Sequence, residues 1–265
     1  MLRVESHGDV QRLHFSTWRS RLVGYSVSCY AVRGVLIDSA FHDVGDELLA
    51  WIRESQCRGV IITHAHDDHA GNAERLARAG VPIQLQPDSE ALLKTPQRRG
   101  PHRWWSWGAM PLLRSPVTPF VAQGLEMVFT PGHSYDHYCV WDADTRTLFA
   151  ADLFLGVKVR VAHPVHREDV RAQVASIRKA VALGPTRVFD AHRGLLKDGA
   201  GLLNAKADWI EQTVAQIDRR IGDGWPDPAI VRDVFGREPL FAYVTLFDWS
   251  HANFVASVRR TYPAR

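Results

Sequence analysis

The chain has 265 residues, 46 % of them hydrophobic and 23 % charged, with a formal net charge of +3. Such a length and composition suit one large or two moderate folded domains and exclude extensive disorder. The charge is too small to require a polyanion partner, and no run of about 18 uncharged apolar residues offers a membrane span.

Cys29, Cys57 and Cys139 are too few and too scattered for a disulfide framework, and the N-terminus lacks the apolar core of a signal peptide. These features predict a cytoplasmic protein with no membrane association.

In chain order, the first strand signals fall at residues 26–32 and 35–37, which flank Arg33-Gly34 and read as a hairpin ending at Asp38. A third strand over residues 60–63 runs directly into Thr63-His64-Ala65-His66-Asp67-Asp68-His69-Ala70-Gly71. Neutral imidazole and carboxylate are good donors to zinc. Two histidines separated by one residue on an extended loop project to one side and grip one ion. Asp68 and His69, further round the turn, point at a second ion. A structural role for so many ionisable side chains is the weaker reading, because without a metal their burial is costly.

Residues 91–125 hold Lys94, Arg98, Arg99, Arg103 and Arg114 with no acid, interleaved with Trp104, Trp105 and Trp107. Residues 94–114 read as a long irregular loop. Two roles stay open for it: a lid or stacking surface for substrate, or an anchor held by buried tryptophans.

Strands follow at residues 126–130, 138–141, 147–150 and 187–189. His133, Asp152 and His192 each come shortly after one of them, as Asp38 does after 35–37. Loops at the C-terminal ends of strands gather along one edge of α/β architectures, so these distant donors are expected to converge. Lys158, Arg160 and Arg193 are candidate substrate contacts. His137 reads as a hydrogen-bonded structural histidine, and His7, His14, His42, His102, His163, His166 and His251 as surface or packing residues.

Helical periodicity is clearest over residues 170–181 and 203–221. After Gly194 the strands stop, and nine basic residues balance nine acidic ones, which argues against a nucleic-acid-binding tail. The expected division is an α/β domain over residues 1–195 and a mainly helical C-terminal subdomain over 196–265.

Asp38, the His64 to His69 loop, Pro131-Gly132-His133-Ser134, Ala151-Asp152-Leu153 and Ala191-His192-Arg193-Gly194 occur in an order that resembles the metallo-β-lactamase superfamily. The glyoxalase II and β-lactamase-like-2 branch is the most similar. The resemblance implies an αββα four-layer sandwich, with two sheets face to face and helices outside. It places His64, His66 and His133 on one metal, Asp68, His69 and His192 on another, and Asp152 between them. Asp68 and Asp38 count with the catalytic groups, Asp38 by holding the ligand loop. Arg193 departs from the small residue of many relatives.

The expected function is a dinuclear hydrolase with two Zn2+, iron or manganese being the alternatives. A metal-bridging hydroxide would attack a thioester, ester or lactone carbonyl of a small molecule. An endoribonuclease or phosphodiesterase and a mono-iron persulfide dioxygenase are the alternatives; nucleic acid is not favoured as partner, and a homo-oligomer is left open.

Overall fold

The structure, a computed structural model, describes residues 1–97, 100–163 and 168–261. Arg98, Arg99 and His166, named above, lie outside the described residues.

Six strands form the first sheet in sequential order: β1 (Leu2–His7), β2 (Val10–Phe15), β3 (Val27–Val32), β4 (Val35–Ile37), β5 (Gly59–Ile61) and β6 (Ile83–Gln84). β1 to β4 pair antiparallel, and β4, β5 and β6 run parallel. Arg33 and Gly34 both adopt positive φ, 54° and 71°, as a two-residue hairpin connection requires.

The second sheet holds β7 (Glu126–Phe129), β8 (Tyr138–Asp142), β9 (Thr147–Phe149), β10 (Arg187–Asp190) and β11 (Gly194–Leu195), in the order β11-β10-β9-β8-β7. Only β9 and β10 run parallel.

Successive side chains of a strand point to opposite faces, and here both faces are apolar. Tyr30, Val32, Val35, Ile37 and Ile61 of the first sheet meet Val140, Phe149 and Phe189 of the second in a layer between the sheets. The alternate residues Cys29, Leu36 and Val60 face outward against α2 (Gly45–Glu54) and α3 (Ala73–Arg78), which follow the short helix α1 (Trp18–Leu22). On the far side, Cys139, Trp141, Leu148 and Val188 pack against further helices. Helix, sheet, sheet and helix therefore stack in four layers, as the resemblance implied.

Two helices stand in the connection between the sheets, α4 (Pro87–Lys94) and α5 (Pro101–Trp107). α5 corrects the expectation of an irregular loop over residues 94–114. Gly100 precedes Pro101 at the first helical turn, where proline's fixed φ favours a helix start.

The far layer begins with α6 (Val170–Ala182), capped by Asp169, whose side chain accepts from the backbone N–H groups of Arg171 and Ala172. It is followed by α7 (Gly199–Gly222), α8 (Asp227–Phe235), α9 (Leu240–Val244) and α10 (His251–Arg260). Val170, Ile177, Leu203, Ile210, Val214 and Ile217 share one core with β8, β9 and β10. The C-terminal helices therefore complete the outer layer of the second sheet. No helix among the described residues is long and apolar enough to cross a membrane.

Candidate metal centre

The parallel strands β4 and β5 bring Asp38 and the His64 to His69 loop side by side, since Asp38 N–H donates to the Ile61 carbonyl at 2.7 Å. Ser39 and Asn72 tie the same crossing together: Ser39 donates to the His69 carbonyl, and the Asn72 amide donates to the carbonyls of Ser39 and Phe41. Gly71 is required there, because a Cβ would lie 2.3 Å from the Asp67 carbonyl oxygen.

The second sheet supplies the other donors from the ends of β7, β9 and β10. His133 sits in a loop pressed against α6. Gly132 has a φ of +135°, and a Cβ on it would lie 2.3 Å from the Gln173 backbone nitrogen.

Two groups of donor atoms result, with every atom of a group within 4.8 Å of the others. One is His64, His66, His133 and Asp152; the other is Asp68, His69, Asp152 and His192. All seven positions expected from the sequence come together. Asp152 belongs to both groups: Oδ1 is 3.2 Å from both His69 Nε2 and His192 Nε2, and Oδ2 is 3.2 Å from His133 Nε2.

The rings are held from behind. His69 Nδ1 lies 2.7 Å from Asp38 Oδ2, and His192 Nδ1 lies 2.7 Å from the Ser26 carbonyl. His64 Nδ1 is 3.0 Å from the Thr63 hydroxyl, which also reaches the Asp38 carboxylate. Each of these three histidines thus has an acceptor for an Nδ1 proton, leaving Nε2 for the cluster. His64 Nε2, His69 Nε2 and Asp152 Oδ1 are buried and make no hydrogen bond among the described residues. Buried lone pairs without hydrogens to accept are costly in a dry interior, and a shared cation removes that cost. On this observation the donor set fits a metal. Asp38 itself stands outside both groups and acts through His69.

The carboxylates also make the cluster strongly anionic, a field that draws protons or a cation alike. Burial opposes charge on His69, but Asp152, Asp38 and Asp68 outweigh it and hold His69 well above the usual imidazole range. His192 is likewise pushed up to about 9 against burial by Asp152 and Asp68. Burial would raise Asp152, yet His69 and His192 hold it well below the usual carboxylate range. Burial and His69 depress His64.

His137 is depressed to about 3, chiefly by burial and then by His133. Its Nε2 accepts the Asp152 backbone N–H at 3.2 Å, so Nδ1 carries the proton and faces the Thr130 carbonyl at 3.1 Å. His137 therefore holds Asp152 in place, in line with the structural role expected of it.

A cleft of about 400 Å3 opens over the cluster and is lined by His66, Asp68, His133, Asp152 and His192. Arg193 and Trp107 line it too, and Arg193 Nε donates to the Leu155 carbonyl at 2.8 Å. Lys158 and Arg160 are exposed and do not line it, whereas the valines beside them, Val159 and Val161, do. Trp104 is 60 % exposed, and Trp105 pairs edge-on with Trp18; neither lines the cleft. His163, expected as a surface or packing residue, is buried in the cleft wall with Nε2 3.2 Å from Arg103 Nη1.

Sequence reasoning passed over Asp136 and Lys206, and named Arg103 only as part of the basic stretch, without its partner. Asp136 accepts from Ala65 N–H, the Ser89 hydroxyl and the Ser134 hydroxyl, joining the first ligand loop to the His133 loop. Arg103 on α5 makes a forked, buried ion pair with Asp67. Asp136 lay in the string from His133 to His137, and the two adjacent acids Asp67-Asp68 were the signal for a pairing cation.

Lys206 on α7 is fully buried and donates to the carbonyls of Leu153 at 2.8 Å and Phe154 at 2.7 Å, just beyond Asp152. Burial lowers its pKa to about 8, against Glu168, Asp190 and Asp152. Its folded value lies below the ordinary 10.5, so the buried charge costs stability in full below about pH 8, and the cost disappears as pH rises to 10.5. The Lys206→Met variant is expected to lose this rise in stability. Urea midpoints of both proteins across that window would reveal it, and parallel curves would count against it.

Known proteins resemble the chain in sequence and in fold. The chain is 24 % identical over 189 residues to the lactamase-like protein vrtG of Penicillium aethiopicum, covering 68 % of this chain and 56 % of that one. It is 24 % identical over 197 residues to an atrochrysone carboxyl ACP thioesterase of Aspergillus fumigatus, with the same two coverages. The chain spans about half the length of these curated relatives. In fold it resembles the metallo beta lactamase from Hirschia baltica, with a TM-score of 0.60 at 20 % identity, covering 79 % of this chain and 97 % of that one. Residues 22–192 match the metallo-beta-lactamase superfamily, and the chain belongs to that superfamily.

Proposed function

We propose that the chain is a metal-dependent hydrolase of the glyoxalase II-like type, which holds two zinc ions and cleaves a thioester, ester or lactone. The observation that carries this reading is the Asp152 carboxylate, shared by two donor groups with His69, His133 and His192 each 3.2 Å away. His64, His66 and His133 would hold one ion, and Asp68, His69 and His192 the other. Zinc in such a pair supplies Lewis acidity and a hydroxide nucleophile at neutral pH.

The chain's own residues do the rest. Asp38, Thr63 and the Ser26 carbonyl fix the ligand rings. Arg193 lines the cleft and has no carboxylate partner among the described residues, so its charge is free for an anionic group of the substrate. An acyl-thioester substrate accords with the thioesterase named among the relatives.

Metal analysis of freshly purified protein should give two zinc ions per chain. Dialysis against a strong chelator should abolish hydrolysis of a thioester and lactone panel, and added zinc should restore it. One iron per chain would favour the dioxygenase reading, and full turnover by metal-free protein would refute the proposal. Cleavage of single-stranded RNA in preference to the panel would turn it towards a nuclease.

A further inference from the structure

We propose that Tyr25, Trp107 and Trp249 form a rigid aromatic wall that selects substrates carrying a flat, apolar group, such as an aryl ring, next to the scissile carbonyl. The three rings come from distant parts of the chain. Tyr25 follows α1, Trp107 ends α5, and Trp249 follows α9 in the C-terminal helical region, yet all line the cleft that holds the metal-donor cluster.

Tyr25 stands between the two indoles. Its ring centroid is 5.2 Å from that of Trp107 at 64° and 5.5 Å from that of Trp249 at 83°. Both are edge-on pairings of the kind aromatic quadrupoles favour.

Further rings support the wall. Phe41 lies 5.2 Å from Trp107, and Phe241 lies 5.7 Å from Trp249. Side chains locked this way lose little freedom when a ligand arrives, so a planar group is bound without an ordering cost. Burial pushes the Tyr25 phenol up, so the wall stays uncharged at any ordinary pH. Leu155, Val159 and Val161 extend the apolar lining of the same cleft, while Arg103, His163, Glu168 and Arg193 add polar groups to those of the donor cluster.

At about 400 Å3 the cleft lies near the small end of the range for drug-sized ligands, roughly 300 to 1,000 Å3. A compact ring system fills such a space better than a long flexible chain does. The wall also gives the C-terminal region a part in substrate choice through Trp249.

The test has two arms. The first is calorimetric binding of 2-naphthamide, an uncharged aryl probe, to the protein as purified; it needs no turnover. Trp249→Ala should weaken this binding about tenfold, whereas Trp249→Phe should stay close to the unmodified protein. The Trp249 indole N–H is buried without an acceptor among the described residues, so the Phe variant gives up no hydrogen bond and should fold.

The second arm rests on the hydrolase reading and compares kcat/KM for naphthoyl and octanoyl thioesters of N-acetylcysteamine. The naphthoyl ester should be preferred, and Trp249→Ala should erase the preference while Trp249→Phe keeps it. Hydrolysis of both esters with no aryl preference, or naphthamide binding unchanged in Trp249→Ala, would overturn the aromatic wall. Naphthamide binding that depends on Trp249 without any hydrolysis would leave the wall standing and remove the proposed activity.

Discussion

Asp152→Ala is expected to abolish turnover, with a loss well beyond the roughly 10- to 100-fold typical of residues that merely orient metal ligands. The reason is its double membership. Its two carboxylate oxygens face His69 and His192 on one side and His133 on the other, so one substitution depletes both donor groups. Removing it also takes away the anion that contributes most to the negative field at His69 and His192. Metal analysis should fall towards zero together with the rate. Asp38→Asn should fall within the smaller range, since Asp38 acts only through His69 Nδ1 and Thr63. Two metals retained at full occupancy in Asp152→Ala would contradict a shared carboxylate.

Arg103→Ala should cost about 3 to 5 kcal/mol of stability, the usual penalty for removing one partner of a buried ion pair. The pair is buried on both sides. The guanidinium Nε sits 3.1 Å from each oxygen of Asp67, and Nη2 adds a second contact to Oδ1. Truncation takes the guanidinium away from the Asp67 carboxylate, which stands next to Asp68 in a site already rich in acid. Asp67→Ala combined with Arg103→Ala should therefore recover much of the loss, because the pair itself contributes little beyond the cost of breaking it. Urea unfolding of the two single variants and the double variant measures this. A double variant as unstable as the sum of the singles would show that the two side chains act independently. The outcome matters for function, since Asp67 lies inside the ligand loop and Arg103 lies four residues before Trp107.

Much of the centre was legible in the sequence because its chemistry is local. His64, His66, Asp68 and His69 fall within six residues, and donors follow the ends of strands β7, β9 and β10, whose apolar runs are easy to read. Strand position made convergence plausible, and the resemblance to the metallo-β-lactamase superfamily, through the order of its motifs, named the remaining donors. β1 and β2 were not read as strands. β1 is an edge strand with a half-exposed pattern, and its alternation is too weak to stand out from the polar residues around Gly8.

What supports the donors was not legible, because each support joins positions far apart in the chain. Asp136 reaches back to Ala65, Arg103 to Asp67, and Lys206 to Leu153; the adjacent acids Asp67-Asp68 call for a cation, but residue type and spacing do not say which one supplies it. The same holds for the cleft wall. Among the tryptophans of residues 104–107, only the helical phase of α5 turns Trp107 inward and leaves Trp104 in solvent, and Trp249 meets Tyr25 only once the C-terminal helices pack. The sequence by itself determined the candidate donor set, through ligand types at fixed spacing, strand ends that gather them and motifs in the order that the superfamily resemblance implies. Which face each helix buries, and which distant side chain satisfies each buried charge, was decided by tertiary packing, since burial and pairing are properties of neighbours in space.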